Sequence, residues 1–137
     1  MGTKITVKAT VNAPVDKVWN LWSQPDHITQ WNNASDDWHS PSATNDLQPG
    51  GKFNIRMEAK DKSIGFDFEG EYNQVKQHEL IEYTMSDGRK VEVAFKTTGN
   101  KTDIIETFEA EKENSEEMQQ SGWQAILDNF KKYAESK

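Results

Sequence analysis

Between Lys52 and Phe108 the chain repeats one pattern five times: apolar and polar residues alternate for a few positions, then a turn signal follows. Phe53, Ile55 and Met57 alternate with Lys52, Asn54, Arg56 and Glu58. Ile64, Phe66, Phe68, Gly70 and Tyr72 alternate with Asp67, Glu69 and Glu71. Ile81, Tyr83 and Met85 form a third row, and Val91, Val93 and Phe95 a fourth. Thr102, Ile104, Glu106 and Phe108 form the fifth. Period-two alternation places these rows on one face of an antiparallel meander and leaves the other face wet. Asp87-Gly88 and Gly99-Asn100 supply turns. A sheet with a single apolar face needs a cover, and this requirement fixes much of what the remaining segments must do.

The cover is read from Ser115 to Ala134. Trp123, Ile126, Leu127, Phe130, Tyr133 and Ala134 recur at steps of three and four and so share one helix face. Ser115 suits the N-cap, Glu116 and Glu117 suit the positive end of the helix dipole, and Lys131 and Lys132 suit the negative end. Such a helix is about 30 Å long, enough to cross a small domain. Gly122 interrupts it at a cost of about 1 kcal/mol relative to alanine. The expectation is that the cover must be thin there, so that the sheet or a loop can approach or so that a cavity keeps its volume.

Ahead of the meander, Ile5, Val7, Ala9 and Val11 alternate as a sixth strand. Pro14 suits the first turn of a short helix carrying Val15, Val18, Trp19 and Trp22. Pro25 stops that helix, and Asp26 caps a second one with Ile28 and Trp31 inward. Asn32 to Gly51 is polar and reads as a long ordered loop, anchored by Trp38 and Leu47 and closed by Gly50-Gly51. The result is one α+β domain over residues 1–137: a curved six-stranded antiparallel sheet wrapped on a long C-terminal helix, with two short helices after the first strand.

Composition limits the function classes. Hydrophobic content is 34% with net charge −7, yet 5 Trp, 6 Phe and 3 Tyr supply large rings for a small core. The absence of cysteine excludes disulfides and thiolate metal sites. No apolar run is long enough to span a membrane, and the N-terminus has no apolar signal core, so a cytoplasmic location is expected. The acidic balance argues against nucleic acid and anionic membranes as partners.

The order of motifs resembles the START-like, helix-grip superfamily, and within it the homologues of the activator of the 90-kDa heat-shock-protein ATPase. The residues that carry the likeness are Ala13-Pro14-Val15-Asp16-Lys17-Val18-Trp19, Pro25-Asp26-His27-Ile28-Thr29-Gln30-Trp31, Trp38-His39-Ser40-Pro41, Asn45-Asp46-Leu47-Gln48-Pro49-Gly50-Gly51-Lys52-Phe53, Gly65-Phe66-Asp67-Phe68-Glu69-Gly70-Glu71-Tyr72, and Gly122-Trp123. The resemblance implies a helix-grip fold with a cavity between sheet and helix. It carries no shared catalytic motif. The chain has no counterpart of the separate chaperone-binding domain of the eukaryotic activators, so it looks like a stand-alone member of the bacterial kind.

Glu106 is the sharpest anomaly, because alternation turns it inward with Ile104 and Phe108. A buried carboxylate is costly unless bonded, and its pKa rises. It is either an anchor or acid/base group in a ligand cavity, or a structural hydrogen-bonding group, or it is turned outward by a bulge. His27, His39 and His78 are scattered without ligand spacing and read as surface or loop-anchoring residues. Ser35, Ser40 and Ser42 lack a nucleophile-elbow context, and Asp67, Glu69 and Glu71 read as a solvated sheet face. No catalytic residue, metal or cofactor is assigned.

Trp31, Trp38, Phe53, Phe66, Phe68, Tyr72, Tyr83, Phe108 and Trp123 are either plain core or, in part, the wall of a ligand pocket. With Met57, Met85, Glu106, Met118, Gly122 and Ile126 they form the candidate ligand-binding set. The leading expectation is a non-catalytic domain that binds a small hydrophobic or aromatic ligand, acting as a monomer or weak dimer. The alternatives are a protein-interaction module acting on a chaperone ATPase, and a cyclase- or dehydratase-like enzyme using Glu106 with help from Tyr83.

Overall fold

Each alternating segment forms a strand, and the polar stretch before them supplies one more. The computed structural model describes residues 3–137. The elements run β1 (Lys4–Val11), α1 (Val15–Ser23), α2 (Pro25–Trp31), β2 (Trp38–Asn45), β3 (Lys52–Ala59), β4 (Gly65–Lys76), β5 (Leu80–Met85), β6 (Lys90–Thr98), β7 (Lys101–Glu109) and α3 (Glu116–Glu135). The strands make a seven-stranded sheet in the order β1-β7-β6-β5-β4-β3-β2, and every neighbouring pair is antiparallel.

The expected count of six is therefore corrected to seven. The missing strand is β2, inside the segment read as a loop. Its sequence has no clean alternation, and its register with β3 shifts between His39 and Ser42, next to Pro41. Proline is tolerated there because β2 is an edge strand and a bulge relieves the ladder. Gln24 ends α1 and starts α2, with Pro25 at the first helical position. Asp26 thus lies in the first turn of α2 rather than at its cap, and Pro14, expected inside α1, is its N-cap.

One face of the curled sheet carries the core. Val7, Val11, Val91, Val93, Ile104 and Phe108 are fully or almost fully buried, and Leu127, Phe130 and Ala134 of α3 meet them from above. Ser115 caps α3 by accepting the Met118 N–H at 3.1 Å, as its sequence position suggests. The two ends of α3 are held differently. At the C-terminal end the Asn12 N–H donates to Glu135 at 2.8 Å, Asn129 donates to the Trp31 carbonyl at 2.8 Å, and the Tyr133 hydroxyl lies 2.6 Å from His27 Nδ1. At the N-terminal end the buried Gln119 side chain accepts from the Glu111 N–H at 2.8 Å and donates to the Asn114 carbonyl at 2.8 Å.

The middle of the sheet is shaped by one close approach. Phe53 of β3 stands opposite Gly70 of β4, and its ring fills the place of a side chain there. A Cβ at Gly70 would lie 2.9 Å from the Phe53 ring and 2.7 Å from the Thr84 carbonyl oxygen. The freed ring packs edge-on against Tyr83 at 4.9 Å and Phe68 at 5.4 Å. Gly70→Ala is expected to destabilise the fold by about 1–3 kcal/mol, because a ring and a backbone carbonyl must both shift. The midpoint of denaturant unfolding measures this.

Candidate functional site

A pocket of about 290 Å³ lies between the concave face of the sheet and the helices. Its walls come from four places. The β3–β4 pair gives Phe53, Ile55, Met57, Phe66, Phe68 and Tyr72, and β5 gives Ile81, Tyr83 and Met85. From α3 come Trp123, Ile126 and Leu127, and the α1–α2 pair closes one side with Trp22, Ile28 and Trp31. Glu106 of β7 lies within this apolar lining.

The register explains the surroundings of Glu106. Its partner on β1 is Val7 and its partner on β6 is Val93. Along β7 the residues on the same face are Ile104 and Phe108. All four are essentially fully buried, so the carboxyl sits in an apolar ring. Desolvation alone lifts its pKa from 4.5 to about 8, since removal from water disfavours the charged form. Among the described residues no side chain or backbone group hydrogen-bonds it, although no fully buried side-chain polar atom lacks a partner. Its oxygens therefore face the pocket.

Tyr83 shares this state. It is buried, its hydroxyl has no hydrogen-bond partner among the described residues, and its pKa is pushed well up by burial and then by the proximity of Glu106. Glu106 and Tyr83 line the same pocket, and the charge of Glu106 acts on Tyr83 even though β6 separates their strands. The other hydroxyl, amide and charged groups of the wall are bonded within the protein. The Tyr72 hydroxyl donates to Asn45, whose amide donates to the Ser23 carbonyl. Arg89 donates to Asp87 at 2.8 Å and to the Glu109 carbonyl at 3.1 Å. Glu111 accepts from the Asn114 N–H, and Asn32 bonds Ser40.

Four residues of the candidate set lie elsewhere. Phe108 is covered by Trp123, whose indole stacks on it at 3.9 Å and 11°. Trp38 packs against Phe66 at 6.0 Å, outside the pocket lining. Met118 is 62% exposed because it sits on the outer side of the first turns of α3. Gly122 does not line the pocket, and a Cβ added to it would meet nothing within 4 Å. The expectation that the helix must be thin at Gly122 is corrected: neither sheet nor loop approaches it. Sequence periodicity missed Trp22, Ile28, Ile55, Ile81 and Leu127 as wall residues, although each falls on an apolar face. Asn32, Asn45, Arg89 and Glu111 carry no comparable signal.

The histidines serve local structure. His27 meets Tyr133, His39 lies 3.7 Å from Glu58, and the ring of His78 packs edge-on against Trp19 at 5.9 Å. Asp67, Glu69 and Glu71 are exposed on the outer face of β4. No helix among the described residues is long and apolar enough to cross a membrane.

Comparisons with known proteins agree with this fold. The family described as Activator of Hsp90 ATPase homolog 1-like protein matches residues 12–135. The chain belongs to this family. It is similar to the AHSA1-like protein from Aeromonas hydrophila, with 43% identity, a TM-score of 0.92, and coverage of 98% of this chain and 93% of that one. It is also similar to a protein from Cytophaga hutchinsonii, with 55% identity, a TM-score of 0.85, and coverage of 97% and 92%. A protein from Nitrosomonas europaea shares the fold at 18% identity, with a TM-score of 0.84 and coverage of 97% and 94%. No curated protein matches the sequence.

Two predictions test the site. The folded state holds the Glu106 proton more tightly than the unfolded chain does, so its contribution to stability is full below about pH 4.5 and is lost as pH rises through about 8. Wild type is expected to lose up to about 1.4 kcal/mol per pH unit across that window relative to Glu106→Gln, which does not titrate. Unfolding midpoints of both proteins from pH 5 to pH 9, roughly the span over which the linkage acts, check the sign. Gly122→Ala is expected to stabilise by up to about 1 kcal/mol, since the helix gains propensity and the new methyl meets open space; thermal unfolding measures it.

Proposed function

We propose that this chain is a non-catalytic domain that holds a small hydrophobic or amphipathic ligand between the sheet and α3. The observation that carries the reading is the pair of unpartnered polar groups, Glu106 and Tyr83, facing an otherwise apolar pocket of about 290 Å³. A largely apolar pocket with a few convergent polar groups is the usual form of a small-molecule site. The residues that would touch the ligand are Trp31, Phe53, Met57, Phe66, Phe68, Tyr72, Tyr83, Met85, Glu106, Trp123 and Ile126.

A second reading is a protein-interaction module that acts on a chaperone ATPase. Family membership supports it, as do the apolar side chains of Ile64 and Phe66, which stay exposed at the end of the β3–β4 hairpin. It predicts binding to a chaperone and a change in its ATP turnover. An enzymatic reading would require a second acid/base group beside Glu106, and the ionisable group that feels its charge is Tyr83, whose hydroxyl is held protonated by burial.

Titration with aromatic and acyl probes, followed by amide chemical shifts, tests the leading reading. Saturable shifts are expected at Tyr83, Glu106 and Trp123. Ile126→Trp fills the pocket and should weaken binding at least about tenfold, equivalent to about 1.4 kcal/mol. Silence of all three amides at millimolar probe would overturn the proposal.

A further inference from the structure

Three facts about the pocket combine into a statement of what it selects. Glu106 is ringed by Val7, Val93, Ile104 and Phe108, and no cation pairs with it among the described residues. The one guanidinium on the wall, that of Arg89, is engaged by Asp87 and the Glu109 carbonyl. The Tyr83 hydroxyl faces the same space without a partner among the described residues.

We propose that the Glu106 carboxyl and the Tyr83 hydroxyl together form a two-donor seat for the carbonyl-type oxygen of an uncharged ligand, and that the pocket rejects carboxylates. This rests on the ligand-binding reading above and adds the chemical class of the ligand. An apolar setting keeps a carboxylic acid neutral so that it donates a hydrogen bond rather than carrying charge. The raised pKa of Glu106, about 8, agrees with the geometry. The groups packed around it do not oppose this: β1 and β6 present valines, β5 presents the Tyr83 phenol, and α3 presents Trp123, Ile126 and Leu127. Glu111, the other carboxylate on the wall, is tied to Asn114. An anionic ligand would have to lose its hydration with Arg89, already paired with Asp87, as the one cation on the wall, whereas a ketone, amide or ester oxygen would satisfy two groups that have no protein partner among the described residues.

The test uses three probes of one shape: acetonaphthone, which carries a carbonyl; ethylnaphthalene, which does not; and naphthoate, which is charged. Binding is measured by calorimetry and amide shifts near neutral pH. Wild type is expected to hold naphthoate at least about tenfold more weakly than acetonaphthone. The ratio of acetonaphthone to ethylnaphthalene affinity is expected to fall about tenfold in Glu106→Leu and by a smaller factor in Tyr83→Phe, as a lost hydrogen bond requires. Acetonaphthone affinity in wild type should decline as pH rises past about 8, and in Glu106→Gln, which keeps a donor and does not titrate, it should stay level. Naphthoate binding as tight as acetonaphthone, or a ratio unchanged in both Glu106→Leu and Tyr83→Phe, would overturn the seat and leave the ligand-binding reading standing. Failure of all three probes to bind would overturn both.

Discussion

A sheet whose residues alternate strictly can hide only one face, and the burial of that face organises this molecule. Each strand from β3 to β7 presents apolar rows inward and charge outward. The apolar face must therefore curl toward α3, because the helix is the one long element with a matching stripe. Burial at about 25 cal/mol per Å² of apolar surface makes this the dominant favourable term in the fold. Helices α1 and α2 then fill the side that α3 leaves open. Trp22 shows the result: its ring packs edge-on against Phe130 of α3 at 4.9 Å and against Phe95 of β6 at 5.7 Å.

The same burial creates the site. One position in the fifth alternating row is a carboxyl, and pairing with β1 on one side and β6 on the other surrounds it with valine. Neither neighbouring strand offers it a donor. Glu106 consequently keeps its proton near neutral pH and turns its oxygens to the pocket. The chemistry of the site is thus a by-product of strand register. A slip of one residue in the β1 pairing would bring Thr6 or Lys8, polar and outward-facing, to the place of Val7 and remove the effect.

Much of this was legible in the sequence, for a physical reason. Period-two alternation is a local property, so the five strands from Lys52 to Phe108 and the inward direction of Glu106 followed from counting. The cap at Ser115 and the stripe of α3 followed from the three-and-four spacing. Strand β2 escaped because it is an edge strand: only one side is paired, a bulge breaks its register, and Pro41 erases its periodicity. Gly122 misled because glycine in a helix usually signals a close approach, while here the space beside it is open. The wall residues Arg89 and Asn45 became visible only when the strands were set side by side, since their positions depend on contacts distant in sequence.

The uneven fastening of α3 has a mechanical consequence. Its C-terminal half is pinned by the fully buried Phe130 and Ala134 and by bonds to Asn12, just after β1, and to Trp31 at the end of α2. Its N-terminal half is latched by the amide of Gln119 to the segment just before the helix, so that latch travels with the helix itself. Between the two, the Gln124 amide accepts from the Lys8 N–H at 3.3 Å and donates to the Lys8 carbonyl at 2.9 Å, so the beam is clamped to β1 at mid-length as well and only its first turns overhang. Trp123, the pocket-wall residue of α3 nearest that overhang, rests on Phe108 like a leaf on its seat.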